Sequence, residues 1–428
     1  MKPQTLQADL TWIDGAFQAG RAITIGSEGR IESIGAAGQG GVRRLPGIAL
    51  LPGFVNAHSH AFQRALRGSA ERFPTGAGSF WSWRESMYAL VSSLDRQMLG
   101  RICRQAYAEM RDAGITTVGE FHYLHHDRDA DFAFDDVVLE AASDVGIRLV
   151  LLQAYYSMGG IGKALGPAQR RFSTPDLGAF LRQLDRLAGR LDPALHSLGM
   201  VAHSVRAASL AEIRALHEEA ARRGLPFHMH VEEQRSEVEE SLAAYGRTPM
   251  RLLCDELAAA GSLTAVHCTH TSPADMAAFL SRGGGVCVCP LTEANLGDGI
   301  PDLSAAHSAG GRISLGTDSN ARITAIEEMR WLEYGQRLRR EVRGALVGPG
   351  GEVASTLLDA ATRGGAAALG ITTGEIAPGR WADFAAIDLS VPSLAGVAPA
   401  GLLDAIVFGG GNRAIAGSFV GGKWRETD

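Results

Sequence analysis

Two histidines one residue apart, His58 and His60, follow an apolar run in the segment LPGFVNAHSH. Residues i and i+2 of a β-strand point to the same side, so both imidazoles can face the same way where this segment ends. Two imidazoles on one face can chelate a divalent metal ion. A single H-x-H pair is also compatible with an ordinary polar loop, so the interpretation depends on whether further ligands end neighbouring strands.

Polar residues that can bind a metal or move a proton end three later apolar segments. His230 ends FHMH and is followed three residues later by Glu233, His267 ends LTAVH, and Asp318 follows ISLGT. With the first histidine pair, the imidazole of His230 and the carboxylate of Asp318 form a nitrogen and oxygen ligand set suited to zinc. The positions of these residues therefore predict one metal centre.

The elements that must carry these residues repeat as a helix, a glycine and an apolar strand. LAEIRALHEEAARRG precedes LPFHMHVEE, for example, and MRLLCDELAAAG precedes LTAVHCTH. With LLPGFVNAHSH at the front, the chain has eight such strands alternating with helices. This alternation predicts an α/β fold with parallel strands, and eight units predict a closed (β/α)8 TIM-type barrel. Barrels of this type build their sites at the C-terminal ends of the strands, where the polar residues lie.

Short β-like pieces lie on both sides of the predicted barrel. TWIDGAFQAG and RAITIGSEGRIESIG precede it, and GEIAPGRWADFAAIDLS and AIAGSFVGGKWRE follow it. Neither end is long enough to bury a core alone, so we expect the two ends to pair. The predicted division is a small β-sandwich domain made of residues 1–50 and 372–428, and a barrel over residues 51–371.

The composition of the whole chain excludes several classes of protein. The 428 residues carry a net charge of −6, which provides no basic surface for nucleic acid. No run of about 18 apolar residues could span a membrane. The N-terminal segment MKPQTLQADL lacks a hydrophobic signal core, so we expect a cytoplasmic location. Five cysteines, an odd number on a long chain, argue against a disulfide framework.

In combination, these motifs resemble the amidohydrolase superfamily. The resemblance is carried by PGFVNAHSH, by the H-x-x-E of His230 and Glu233, by the histidine of AVHC and by GTD. The binuclear branch of that superfamily needs a carboxylated lysine at the end of the fourth strand, which reads MVAHSVR here. The only lysines are Lys2, Lys163 and Lys423, and none is placed to bridge two metals. The resemblance therefore implies the branch of deaminases that use a single metal ion.

A narrower resemblance is to the formimidoylglutamate deiminases, which convert N-formimino-L-glutamate and water into N-formyl-L-glutamate and ammonia. It rests on NAHSHAFQRALRG, GSFWSWRE, HSVRA, HVEEQ, CPLTEANLGDG and GTDSNARI. It implies that one Zn²⁺ per chain is bound by His58, His60, His230 and Asp318. It implies that protons are transferred by Glu233, His267 and Asp318. It also implies that the substrate is bound by Gln63, Arg84, Tyr123, His203 and Arg206.

A substrate with two carboxylates requires cationic donors inside a pocket, and Arg84 and Arg206 are the candidates. Each has a plainer alternative, since Arg84 could cap a helix and Arg206 could pair with a surface acid. The expected partner is thus a small molecule with two carboxylates, with no nucleic acid and no membrane, and a homodimer stays open as the oligomeric state.

Two other classes of function compete with this one. A deaminase acting on a nucleobase or nucleoside, such as guanine, cytosine or an adenosine derivative, stays open because the tryptophans of FWSW could stack on a planar ring. The second is a non-catalytic scaffold with the same fold. Scaffolds of this kind usually lose metal ligands, and this chain keeps the full set, which disfavours that class.

Several further histidines and acids near the motifs are expected to lie outside the site. His122, His125 and His126 follow the second strand and are expected in an exposed loop. His228 shares a strand face with His230 but lies deeper, so we expect it to be packed. Glu232 should point away from the site because side chains alternate along a strand.

Overall fold

The computed structural model describes residues 2–36, 41–69, 71, 73, 78–127, 131–258 and 261–427. The described residues contain sixteen strands, which belong to two sheets. The strands are β1 (Gln4–Ile13), β2 (Ala16–Ala19), β3 (Arg21–Ile25), β4 (Ile31–Ala36), β5 (Val42–Pro52), β6 (Phe54–Ser59), β7 (Ile115–His122), β8 (Arg148–Tyr155), β9 (His196–Ala202), β10 (Phe227–Val231), β11 (Leu263–His267), β12 (Gly285–Val288), β13 (Arg312–Leu315), β14 (Phe384–Asp388), β15 (Ile415–Val420) and β16 (Lys423–Glu426).

The helices of the described residues all follow β6. They are α1 (Phe80–Ser93), α2 (Arg96–Asp112), α3 (Ala133–Val145), α4 (Leu177–Ala188), α5 (Leu210–Arg223), α6 (Arg235–Tyr245), α7 (Pro249–Glu256), α8 (Pro273–Ser281), α9 (Pro290–Leu296), α10 (Ser304–Ser308), α11 (Ala325–Arg340), α12 (Ala354–Asp359), α13 (Gly365–Ala368) and α14 (Leu402–Gly409). Short 3₁₀ segments cover Ala61–Leu66, Pro167–Phe172, Pro399–Gly401 and Asn412–Ala414, and a π-helical turn covers Ala360–Gly364.

Strands β6 to β13 form the barrel that the alternation of strands and helices predicts. Each strand pairs in parallel with the next one along the chain. A parallel bridge between Ser59, the last residue of β6, and Asp318, just beyond β13, brings the two ends of this sheet together. Strands β7 and β8 are buried at every position, as expected for strands covered by side chains on one face and helices on the other. The predicted fold class is confirmed.

Glycines at the ends of two barrel helices explain why the helix, glycine and strand pattern is readable in the sequence. Helix α3 ends at Gly146 with φ of 71°, and α5 ends at Gly224 with φ of 66°. Glycine adopts this left-handed conformation without the steric penalty of a Cβ. Each glycine therefore stops its helix and turns the chain into the following strand, β8 or β10.

The two ends of the chain form the second sheet, as predicted. Its strand order is β16-β15-β14-β5-β1-β3-β4, with β2 paired to β1. Strand β5 joins the two ends, because it pairs in parallel with β1 and antiparallel with β14. Leu6, Ile23, Leu50, Phe384 and Phe419 are buried in the separate apolar core of this sheet. The boundaries given above, 1–50 with 372–428 against 51–371, remain our proposal for the division into domains.

A buried ion pair attaches the terminal sheet to the barrel. Arg148, the first residue of β8, donates from Nε and from a terminal nitrogen to the carboxylate of Asp383 at 2.9 and 3.0 Å. The same carboxylate accepts hydrogen bonds from the backbone of Gly421 and the hydroxyl of Thr373. Because Arg148 begins its strand, this contact lies at the N-terminal end of the barrel, and the sheet leaves the C-terminal ends of the strands free to form a site.

Two further observations concern membrane-spanning helices and the cysteines. Within the described ranges, no helix combines the length and the apolar character needed to cross a bilayer. The five cysteines are all buried and free. Cys287 and Cys289 pack with Ala57 and Val266 in a small apolar cluster.

Candidate active site

Three imidazoles and one carboxylate meet at the C-terminal ends of the barrel strands. His58 and His60 come from the end of β6, His230 from β10 and Asp318 from the turn after β13. The Oδ1 atom of Asp318 lies 3.0 Å from Nε2 of His58 and 3.1 Å from Nε2 of His60, and Nε2 of His58 lies 3.2 Å from Nε2 of His230. One potential ligand atom of each residue lies within 4.8 Å of all the others, and all four residues are buried.

The outer nitrogens of two of these imidazoles show which nitrogen faces the centre. Nδ1 of His60 lies 2.8 Å from the carbonyl oxygen of Phe121, and Nδ1 of His230 lies 3.1 Å from the carbonyl oxygen of His203. A carbonyl only accepts, so each Nδ1 must donate its hydrogen. In the neutral ring this leaves a lone pair on Nε2, directed at the centre, as in metal-binding histidines.

The charges at this centre favour a cation. Burial disfavours the imidazolium form, so it lowers the pKa of His58 to about 3 and that of His230 well below its ordinary value. Neutral imidazole lone pairs and a carboxylate oxygen converging within hydrogen-bond distance repel one another. A divalent cation removes that repulsion, so the donor set fits a metal ion, and these residues can bind one.

The backbone is strained at two residues of this site. His267 and Asp318 have φ angles of 72° and 42°, in the left-handed region that residues with a Cβ rarely adopt. Backbone hydrogen bonds hold Asp318 in place. Its N–H donates to the carbonyl of His58 at 3.0 Å, and its carbonyl accepts from the N–H of His60 at 2.8 Å. The strained turns direct both side chains into the mouth of the barrel.

Glu233 and His267, the residues predicted to transfer protons with Asp318, face each other beside the metal ligands. Nε2 of His267 lies 3.9 Å from Oε1 of Glu233. Burial lowers the pKa of His267, but Glu233, a hydrogen bond with Glu293 and the charge of Asp318 raise it to about 10. The ring is therefore held among three carboxylates, and a proton can be exchanged between them.

Glu293 has no assigned role in the sequence-based prediction, although it lies in the motif CPLTEANLGDG. It belongs to α9, and its Oε1 accepts from Nδ1 of His267 at 3.3 Å and from the backbone N–H of Cys289 at 3.0 Å. Nothing in the sequence shows that a residue of this helix reaches the end of β11. Its carboxylate fixes the orientation of His267 and leaves Nε2 facing the site.

A pocket opens above these residues, at the C-terminal ends of the barrel strands. All five residues predicted to bind substrate line it: Gln63, Arg84, Tyr123, His203 and Arg206. Helix α1 forms one wall with Phe80, Trp83 and Met87. The side of the pocket away from the metal ligands is thus largely aromatic, with two guanidinium groups in it.

The two arginines of the pocket differ in their partners. Nε of Arg206 donates to the buried carboxylate of Glu237 at 3.1 Å, so its partner is not the surface acid of the plainer alternative. Arg84 lies 4.2 Å above the ring of Trp81 and has no carboxylate partner among the described residues. Because Ser79 caps α1, Arg84 does not serve as a helix cap. Both guanidinium groups therefore keep donor hydrogens for a ligand.

Gln63 and Tyr123 form a second polar group in the pocket wall. Nε2 of Gln63 donates to the hydroxyl of Tyr123 at 2.8 Å. The Oε1 atom of Gln63 is buried and has no hydrogen-bond partner in the described part of the chain. A buried acceptor without a donor is costly, so a ligand that supplies an N–H would relieve it. His203 packs beside this pair, with its ring 5.2 Å from that of Tyr123.

The expectation of an exposed loop after the second strand is wrong, because His122, His125 and His126 are buried. Nε2 of His122 and Nδ1 of His125 lie 2.9 and 3.0 Å from Oδ1 of Asp135. Gln153 donates to the other oxygen of this carboxylate. The spacing of His122, His125 and Asp135 could also suit a metal ion. The oxygens of Asp135, however, already accept hydrogen bonds from their neighbours. The group fixes the segment that carries Tyr123.

Two neighbours of the site lie where the alternation of side chains predicts. His228 is buried beneath His230, and its Nε2 bonds to the carbonyl oxygen of Ala368 at 2.8 Å. Glu232 points away from the ligands, and its Oε1 accepts from the backbone N–H of Met250 at 2.8 Å. Neither residue lines the pocket.

A family model described as the amidohydrolase family matches residues 49–425, which is most of the chain. The chain belongs to the amidohydrolase family. Among curated relatives, this amidohydrolase is 42% identical to formimidoylglutamate deiminase of Pseudomonas aeruginosa over 395 residues, covering 91% of this chain and 86% of the relative. It is 29% identical to 8-oxoguanine deaminase of the same organism over 388 residues, covering 89% and 82% of the two chains.

Solved structures agree with this membership over the whole chain. An amidohydrolase from Brucella melitensis superposes on this one with a TM-score of 0.90 and 32% identity, covering 99% of this chain and 94% of the other. An adenosine deaminase from Xanthomonas campestris with bound zinc has a TM-score of 0.85 and 23% identity, covering 99% and 92%. The second similarity extends the shared fold to more distant proteins.

Proposed function

We propose that this amidohydrolase is a zinc-dependent deiminase that hydrolyses N-formimino-L-glutamate to N-formyl-L-glutamate and ammonia. The observation that carries the proposal is the pairing of a four-residue metal centre with two guanidinium groups in one pocket. Arg84 and Arg206 suit the two carboxylates of this substrate, because arginine binds carboxylates through a planar fork of donors. The 42% identity to a formimidoylglutamate deiminase supports the same assignment.

One Zn²⁺ per chain would be held by His58, His60, His230 and Asp318, whose donor atoms already converge. When bound, zinc lowers the pKa of a coordinated water to about 7 and so provides a nucleophile near neutral pH. Asp318 would accept the proton of the attacking water. His267, whose pKa is raised to about 10, already carries its own proton near neutral pH and would assist as a hydrogen donor. Both residues are buried, so the proton stays within the site.

Glu233 is placed to deliver the proton that the leaving nitrogen needs. It lines the pocket, is only 6% exposed, and lies close to His267. In the balanced reaction, the water oxygen bonds to the formimino carbon and the bond from that carbon to its terminal nitrogen breaks. The nitrogen leaves as ammonia with protons that originate from the water and pass through these side chains.

Substrate specificity would come from the wall opposite the metal ligands. Arg84 and Arg206 would bind the two carboxylates, and Gln63, Tyr123 and His203 would position the part of the substrate between them and the metal. The unpaired Oε1 of Gln63 is suited to a nitrogen-bound hydrogen of the formimino-amino group. These roles together orient the formimino carbon over the metal centre.

A deaminase of nucleobases is the second candidate, and one observation favours it. Trp83, Tyr88 and Phe172 line the pocket and could stack on a planar ring, and one curated relative is an 8-oxoguanine deaminase. Arg84, which has no carboxylate partner among the described residues, is unsuited to a neutral base, however, since desolvating it without an anion is costly.

Ammonia release from a small panel of compounds tests the proposal. The purified, zinc-loaded protein would be incubated with N-formimino-L-glutamate, guanine, 8-oxoguanine, cytosine and adenosine. We expect ammonia, together with stoichiometric N-formyl-L-glutamate, from the first compound alone. Turnover of a base without turnover of the formimino compound would replace the proposed substrate and leave the metal-dependent hydrolase.

A further inference from the structure

Tyr156 lies in the wall of the pocket immediately after β8 and has no role in the function proposed above. Its backbone is fixed by two hydrogen bonds with Thr174, one from its own N–H at 2.9 Å and one to its carbonyl at 2.9 Å. Its ring packs against His203 with a centroid distance of 4.8 Å and against Phe172 at 5.6 Å. Because backbone and ring are both held, the position of the hydroxyl is also fixed.

Gln169 determines which role the hydroxyl of Tyr156 can take. The Oε1 atom of Gln169 accepts from the backbone N–H of Gly166 at 2.9 Å, so the opposite side of the amide must be its NH₂ group. That group donates to the Tyr156 oxygen at 3.0 Å. The oxygen therefore acts as an acceptor toward Gln169, and its own hydrogen stays available. No acceptor for that hydrogen lies within bonding distance among the described residues.

The charges around this hydroxyl favour an anionic ligand. Burial raises the pKa of Tyr156 to about 12, and Tyr88 acts in the same direction, while the positive charges of Arg206 and Arg84 oppose them. The phenol therefore keeps its hydrogen near neutral pH. It is a neutral donor that shares its pocket with two cations, and an anion there would be attracted by all three groups.

The same construction occurs a second time in the pocket. The hydroxyl of Tyr123 also accepts from a glutamine side chain, that of Gln63. In both pairs the glutamine amide donates, so the hydroxyl hydrogen points away from it; both tyrosines line the pocket, and Gln63 lines it as well. Two such pairs around one cavity indicate that phenol hydrogens are aimed at a ligand rather than satisfied within the protein.

We propose that Tyr156 donates its hydroxyl hydrogen to a substrate carboxylate that the arginines of the pocket attract, and that Gln169 is the residue that positions it. This assignment rests on the proposed function, since it takes the carboxylates to be those of N-formimino-L-glutamate. It adds a neutral, directional donor to the two guanidinium groups. Tyr156 would thus contribute to binding and selectivity for dicarboxylates and not to the bond-breaking step.

Tyr156→Phe tests the proposal because it removes only the hydroxyl and keeps the packing of the ring. We expect KM for N-formimino-L-glutamate to rise about 10- to 100-fold, the usual range for losing a hydrogen bond to a charged group. We expect kcat and the zinc content to change little. Tyr155→Phe is the matched control, because that hydroxyl donates to Glu212 at 2.6 Å outside the pocket.

Gln169→Glu tests the positioning role with almost no change of shape. A carboxylate at this position would accept the Tyr156 hydroxyl hydrogen and turn it away from the pocket, so KM should rise as it does in Tyr156→Phe. In a protein that already carries Tyr156→Phe, adding Gln169→Glu should change KM by less than about threefold. An equally large rise in that background would show that the added charge acts directly, and would overturn the positioning role of Gln169.

Titration with glutarate separates this proposal from the proposed function. Glutarate carries two carboxylates and no formimino group, and its Kd can be measured by calorimetry on the zinc-loaded protein. Weaker binding by Tyr156→Phe than by Tyr155→Phe would support the donor role even if N-formimino-L-glutamate were not turned over. Equal Kd values for wild type and Tyr156→Phe, including no binding by either, would overturn it.

Discussion

Oε1 of Glu293 accepts a hydrogen bond from Nδ1 of His267 at 3.3 Å. The bond directs the other nitrogen of the ring toward Glu233 and the metal ligands. Both residues are buried, and Oε1 of Glu293 also accepts a hydrogen bond from the backbone N–H of Cys289. The position of this carboxylate therefore does not depend on solvent. The helix after the seventh barrel strand thus controls the orientation of a residue at the end of the sixth.

Replacing this carboxylate tests its importance. Glu293→Gln keeps the shape, and its amide oxygen can still accept both hydrogen bonds, but it removes the negative charge that raises the pKa of His267. We expect kcat to fall roughly 100-fold or more, since losing a carboxylate that fixes a catalytic imidazole can cost up to about 10⁴-fold. Zinc content, measured by elemental analysis, should not change. Glu327→Gln, at the start of α11, where this half-buried glutamate pairs with the exposed Arg322, is the control and should match wild type.

The metal centre predicts one divalent ion per chain. His58→Ala and His230→Ala should each lose the ion and all detectable turnover, because each removes one of four converging donors. Elemental analysis of the purified proteins measures this directly. His196→Gln is a suitable control, since this histidine begins β9 at the opposite end of the barrel. Two ions per chain in active wild-type protein would contradict the four-ligand centre.

Glu233→Gln separates proton transfer from metal binding. Glutamine preserves the shape of the side chain, and Glu233 is not among the four ligands, so zinc should be retained. Turnover should fall about 10²- to 10⁴-fold, the usual contribution of general acid–base catalysis. Glu232→Gln, its sequence neighbour, should remain close to wild type because its side chain bonds to the backbone of Met250 outside the pocket. A Glu233→Gln enzyme with wild-type turnover would exclude the assigned role.

The two arginines should respond differently to the same substitution. Arg84→Met and Arg206→Met should each reduce kcat/KM on N-formimino-L-glutamate by about 30- to several-thousand-fold, the effect of leaving a bound carboxylate without its partner. Only Arg206→Met should also destabilise the fold, by up to about 3–5 kcal/mol, because it leaves Glu237 buried without a counter-charge. Urea denaturation measures this difference. Equal free energies of unfolding for the two variants would contradict the pairing of Arg206 with Glu237.

The sequence is sufficient to predict the barrel and the convergence of four possible metal ligands, because both depend on local patterns. Strand periodicity places His58 and His60 on one face, and the glycines that end helices such as α3 and α5 show where the next strand begins. The ligand positions then follow from a general property of parallel barrels, whose strands all end at one mouth. No long-range contact has to be known for this part of the prediction.

The residues that sequence reasoning missed act through contacts between distant segments. Glu237 meets Arg206 from a different element, and Gln169 meets Tyr156 from a short 3₁₀ segment. The histidines that follow His122 have the composition of a solvated loop. They are buried because Asp135, from the following helix, forms hydrogen bonds with His122 and His125. Buried polar groups of this kind are specified by their partners, and a partner far along the chain leaves no local pattern.

The barrel is closed by a bridge at Ser59 and Asp318, and the same turn supplies metal ligands from both sides of the junction. An ion bound there would link the first and last strands of the barrel through its ligands. By linkage, its binding free energy adds to the stability of the closed ring, about 2.7 kcal/mol when free metal is one hundred times its Kd. A molecule in which this junction were open would lack the complete set of four donors. The same ion would therefore serve both the stability of this junction and catalysis.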